Sequence, residues 1–187
     1  MSESKLKPYA LKFWYQPGAV LTALLAARSG HKLALCVGAF FGWVQALPYY
    51  LKTEDGGGLL LLAAPVLGLC GVYFFSWLLR NFSRWFGGQA ELFEVRTALG
   101  LGLLPWTLVF ILLMPLMGHL DPVNGLGQLY WLFFAGFLYG YVVLLLSLSA
   151  ALRLSPLKTF FCLVVTVLVS LFPLSWVAQL VLAAIAS

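Results

Sequence analysis

Charge is what this sequence has least of. Asp, Glu, Lys and Arg make up 9% of the 187 residues, against about 25% in a soluble globular domain. Acids are the scarcer sign, six against eleven bases. So few charges cannot solvate the surface of a water-borne globule, and a soluble fold is excluded. Cysteines number three, Cys36, Cys70 and Cys162, each inside an apolar block and without CxxC or metal-ligand spacing. That excludes a disulfide frame and a thiolate metal site, and the three read as small buried hydrophobes. The two histidines are His31, alone, and His119, whose only acidic neighbour is Asp121 in a loop. No HExxH, nucleophile elbow, phosphate-binding loop or paired-carboxylate pattern is present, so an intramembrane enzyme has little to work with. The sequence implies no cofactor and no metal. The net charge of +5 comes from dispersed bases that flank hydrophobic blocks, which argues against nucleic acid as a partner. Met1 to Gln16 mixes Lys5, Lys7 and Lys12 with Tyr9, Phe13, Trp14 and Tyr15 and has no apolar core, so no cleaved signal peptide is expected.

Apolar residues make up 63% of the chain and mean hydropathy is +0.98. The expectation is an all-α, polytopic membrane helix bundle, a single membrane domain over 1–187. Five spans are expected, at about 32–51, 59–79, 97–117, 129–152 and 159–186, each long enough for a hydrocarbon core about 30 Å thick. Before them, Pro17 to Gly30 opens on proline and closes on glycine, with Val20, Leu21, Leu24 and Leu25 on one face. It is too short to span. It reads as an N-terminal interfacial helix, with packing on the protein's own cytoplasmic surface as the alternative.

Small residues recur at steps of four in the first span (Ala34, Gly38, Gly42, Ala46) and the fourth (Gly136, Gly140). Such faces let helices approach closely in lipid, so Gly38, Gly42, Gly136 and Gly140 are candidate packing positions. Pro65, Pro105, Pro115 and Pro173 fall inside spans and are candidate kinks. Pro173 leaves open whether the last run is one kinked helix or a re-entrant pair.

Between the second and third spans lies the longest polar interruption: Arg80 and Arg84, then Gly87, Gly88, Glu91, Glu94 and Arg96. The diglycine should turn the chain. Glu91 and Glu94 fall at a helix start, where the dipole favours carboxylates, and with Gly87, Gly88 and Arg96 they form a candidate cytoplasmic interaction surface. On the five-span layout, ten of the eleven bases fall on one side and only Lys52 on the other. The positive-inside rule then puts the N-terminus in the cytoplasm and the C-terminus outside.

Gly87-Gly88, the acids and aromatics of Glu91-Leu92-Phe93-Glu94-Val95, and Pro105 in the following span resemble the central motif of the Yip (Ypt/Rab-interacting protein) family. Phe13-Trp14-Tyr15-Gln16-Pro17 and Trp131 at the opening of the fourth span extend the similarity over most of the chain. The resemblance implies five spans with a cytoplasmic N-terminus, and the short form is similar to bacterial members, implying an inner-membrane location. The leading functional expectation is a non-enzymatic organiser or accessory subunit binding other membrane proteins, with a homo-oligomer as one form of partnership. A small transporter or lipid-handling protein using a cavity between kinked helices is the alternative. Against it, the spans carry no clear midplane charge.

Overall fold

The structure, a computed structural model, describes residues 7–52, 58–119 and 125–186. All of its elements are helices: α1 (Lys7–Tyr15), α2 (Pro17–Ala26), α3 (His31–Lys52), α4 (Gly58–Trp85), α5 (Leu92–Gly102), α6 (Leu104–His119), α7 (Gly125–Leu152) and α8 (Pro156–Ala186). Four helical stretches among the described residues are long and apolar enough to cross a membrane: Leu61–Trp85, Leu92–Leu112, Tyr130–Leu152 and Pro156–Pro173. The 22-residue α3 opens with His31-Lys32 and carries Gln45 and Pro48, which lowers its apolar character. The connections with Glu54, Asp55 and Asp121 lie outside the described residues.

Helices α3 and α4 pack most extensively. A Cβ placed on Gly42 would stand 2.7 Å from Gly68 Cα, and one on Gly38 would stand 2.6 Å from Val72 Cγ2. Side chains are missing where the backbones meet, and in lipid this close approach supplies the dispersion that holds helices together. The same device fixes α5 on α3, where Gly100 abuts Ala34, and α6 on α7, where Gly140 abuts Trp106 and Gly136 abuts Val109. His31 beside Thr97 and Gly100 against Ala34 run α3 and α5 parallel. Helix α8 packs mainly on α4 and α7.

Several expectations change in the structure. The helix that carries the third expected span begins at Leu92, ahead of Thr97, and the apolar stretch Leu92–Leu112 includes Glu94 and Arg96. It breaks at Leu103, between α5 and α6. Pro105 lacks an N–H for the carbonyl four residues earlier, and Leu103 N–H is shared between Leu99 O and Gly100 O. By contrast α4 continues through Pro65, and α8 through Pro173 as a single helix. Cys36 and Cys70 face outward and only Cys162 is buried, because the outside of a membrane bundle is itself apolar and does not force such residues inward. The segment read as interfacial does not merely lie along the membrane. Val20, Leu21 and Leu24 of α2 are buried, and its closest seat is on α7, where Gly18 faces Leu146 O and Ala150 Cβ.

Candidate functional site

Arg28, Lys32, Arg80, Arg84, Arg96, Arg153 and Lys158 fall where α2 ends, α3 begins, α4 ends, α5 begins and α7 turns into α8; this is called the basic end. Three turns shape it. Helix α4 closes with Gly87 in the left-handed region (φ 87°), Gly87 N–H donating to Arg84 O and Gly88 N–H to Ser83 O at 2.8 Å. This six-to-one and five-to-two pairing satisfies the last carbonyls of the helix. A Cβ on Gly88 would stand 2.9 Å from Ser83 Cβ, so both glycines are needed, one for its conformation and one for space. Helix α7 ends in the same manner, but with Arg153 (φ 57°) in the left-handed position and Leu154 N–H donating to Ser149 O.

Glu91 caps α5. Its backbone N–H donates to Glu94 Oε2 at 2.8 Å, and its own carboxylate accepts from the third helical residue, a reciprocal capping box. The other Glu94 oxygen accepts from Arg153 at 3.0 Å. Glu94 is therefore committed to the fold, while Glu91 and Gly87 are exposed. A further tie joins α1 to α7: the Trp14 and Tyr139 rings stack at 6.2 Å, and the Tyr139 hydroxyl donates to Trp14 O. Sequence reasoning missed this tie, since nothing local links residues 125 positions apart.

Arg96 does not point to solvent. Its guanidinium carbon lies 4.2 Å from the Tyr73 ring centroid, a cation–π arrangement, and it is partly buried. The Nε atoms of Arg96 and Arg80 are buried with no hydrogen-bond partner among the described residues. His31 completes this cluster. The Thr97 hydroxyl lies 2.8 Å from Phe93 O and 3.2 Å from His31 Nδ1, so it bridges the backbone of α5 and the imidazole of α3. Burial, and then repulsion from Arg96, hold the His31 pKa below the ordinary histidine value.

A half-open apolar hollow of about 480 Å³ is bounded by α4, α5, α6, α7 and α8, with Phe41 of α3 also in its wall and Val167 and Leu168 of α8 at its exposed side. Its wall is apolar apart from Trp106, Tyr141 and Thr166. Trp106 Nε1–H donates to Phe137 O at 3.0 Å and the Thr166 hydroxyl to Cys162 O at 2.7 Å, so neither donor is offered to the cavity. Gly71 lines it, and a Cβ there would meet nothing within 4 Å. No group of three or more metal-ligating side chains occurs among the described residues. The candidate interaction residues Gly87, Gly88, Glu91, Glu94 and Arg96 thus share the basic end but split into exposed (Gly87, Glu91) and structurally engaged (Gly88, Glu94, Arg96).

Comparison with known proteins gives one finding. A family model described as the Yip1 domain matches residues 11–177. Neither the curated proteins nor the solved structures yield a match.

Proposed function

The chain belongs to the Yip1 domain family, and from that membership we propose that it acts without chemistry of its own, as an organiser or accessory subunit binding other membrane proteins in a bacterial inner membrane. On this reading it is one membrane domain over 1–187 with α3 as the first of five spans. The N-terminus is cytoplasmic and the C-terminus outside, which the distribution of Lys and Arg supports.

The observation that carries the organiser reading is the built platform at the basic end. The capping box and the Glu94–Arg153 pair tie α5, α7 and the connecting turns together there, while the Trp14–Tyr139 stack holds α1 against the middle of α7. Around these ties Arg84, Trp85, Gln89 and Glu91 stay exposed, Trp85 at 75%. A frame that holds exposed polar and aromatic groups outward suits recognition of another protein, since aromatic and arginine side chains dominate binding hot spots. The test is quantitative cross-linking mass spectrometry in native membranes, comparing the parent with Trp85→Ala/Glu91→Lys. Loss of specific cross-links at unchanged expression and melting supports the organiser. An unaltered cross-link set, or solute flux by the purified protein in liposomes, overturns it. The break at Leu103 beside the cavity is what favours the transport alternative, and the flux measurement is aimed at it.

A further inference from the structure

We propose that the cavity binds one acyl chain of an anionic phospholipid, whose phosphate is met at the basic end by Arg96 and Arg80. The cavity first. From Leu79 to Gly68, both in its wall, α4 advances eleven residues, about 16 Å at 1.5 Å per residue. One leaflet of a hydrocarbon core about 30 Å thick has nearly that depth. An apolar hollow of this size offers little to a polar solute, because the donors of Trp106 and Thr166 are taken by backbone carbonyls and the Tyr141 hydroxyl is the one other polar group of its wall. A hydrocarbon chain is the one abundant neighbour that gains contacts by entering.

The position of the charges says which lipid. Leu79 and Leu99 mark the end of the cavity nearest the basic end. Arg80 follows Leu79 but lies about 100° round α4 from it, on the stripe of Tyr73 over which Arg96 sits, and Arg96 stands one turn before Leu99 on the α5 stripe that continues to Leu103, another wall residue. Both arginines keep a buried Nε–H without an acceptor. A buried charged donor without a partner is costly, and a phosphate oxygen is an acceptor that guanidinium groups meet well. The acids nearest in the described chain do not serve: Glu94 is held by the capping box and Arg153, and Glu91 is exposed. His31, the remaining titratable neighbour, has its pKa lowered by burial and then by Arg96, and an imidazole, neutral or protonated, supplies no negative counter-charge. This site is independent of any protein partner. It belongs to the protein as a lipid-bound module whether or not the platform recruits another chain.

The full chain in nanodiscs of equal phosphatidylglycerol and phosphatidylethanolamine, released for native mass spectrometry, tests it. The expected spectrum shows one retained phospholipid per protein, with phosphatidylglycerol favoured at least fivefold. Gly71→Leu places a side chain into the open space and should reduce retention at least tenfold with melting unchanged. Arg80→Gln/Arg96→Gln should keep a retained lipid but lose the preference. A parent protein without a retained lipid, or Gly71→Leu retaining as much as the parent, overturns the acyl-chain site. Equal retention of both lipids by the parent overturns the assignment to an anionic phospholipid, because phosphatidylethanolamine carries the same phosphodiester with an added cation. Should Gly71→Leu fail to fold, a phosphatidylglycerol with a photoreactive acyl chain decides the matter on the parent. Labelling of Phe75 or Leu103 peptides is expected, and labelling confined to the outer α7 face around Trp131 and Phe134 overturns the proposal.

Discussion

At residue scale, His31 and Glu94 do opposite kinds of work. His31 is held neutral by burial and by Arg96, so its folded pKa lies below its unfolded value of about 6.5. The unfolded chain then binds more protons in the window between the two. Stability is fully present above the unfolded value and declines as pH falls through that window. Melting in detergent should therefore drop between pH 7 and pH 5, and His31→Gln should flatten that drop. Glu94 serves as helix start and as Arg153's acceptor. Arg153 is 59% exposed, so the ion pair itself is worth little, whereas loss of the cap costs about 0.5–2 kcal/mol. Glu94→Ala should lower the melting midpoint clearly. Arg153→Gly should leave it near the parent's, because glycine takes the left-handed position without strain and offsets the lost pair. Two separately melted variants decide this. The role of Glu94 at a helix start was legible in the sequence from its spacing after the diglycine. Its engagement by Arg153 was not, because that pair spans 59 residues and depends on how α7 ends.

Among elements, the glycines divide by what faces them. A side chain on Gly42 runs into the backbone of Ala64 and Gly68, which cannot turn away, whereas one on Gly38 meets only the Val72 side chain. Gly42→Ala should thus destabilise the α3–α4 pair by roughly 1–3 kcal/mol, and Gly38→Ala by less, as read from thermal melts in detergent. The four-residue spacing announced a close-packed face on α3, but the partner positions, Gly68 for Gly42 and Ala34 for Gly100, follow from register between helices and leave no local trace. Gly68 and Gly71 look alike in the sequence, yet one is in tight contact and the other faces open space. Prolines divide similarly. Pro105 coincides with the turn at Leu103 between α5 and α6, while Pro65 and Pro173 sit in helices that continue. Composition and hydrophobic block length were enough to give the helices; which proline coincides with an interruption was not legible from the prolines themselves.

For the whole molecule, sidedness is the property most open to direct test. Reporter fusions after Gln89 and Ser155 should read cytoplasmic, and fusions after Asp55, Asp121 and Ser187 should read external. A cytoplasmic Ser187 would remove α3 or α8 from the set of full spans. The seating of α1 and α2 on α7 also bears on how the protein is made. Trp14 is docked by Tyr139, and α2 by α7, so α1 and α2 have no seat on α7 until that helix has been synthesised and inserted. At about 5–20 residues per second, 125 residues of chain correspond to roughly 6–25 s. Throughout that interval Phe13, Val20, Leu21 and Leu24, all buried in the finished bundle, stand uncovered beside the insertion machinery, and a nascent-chain chaperone or the lipid surface has to hold them until their seat arrives.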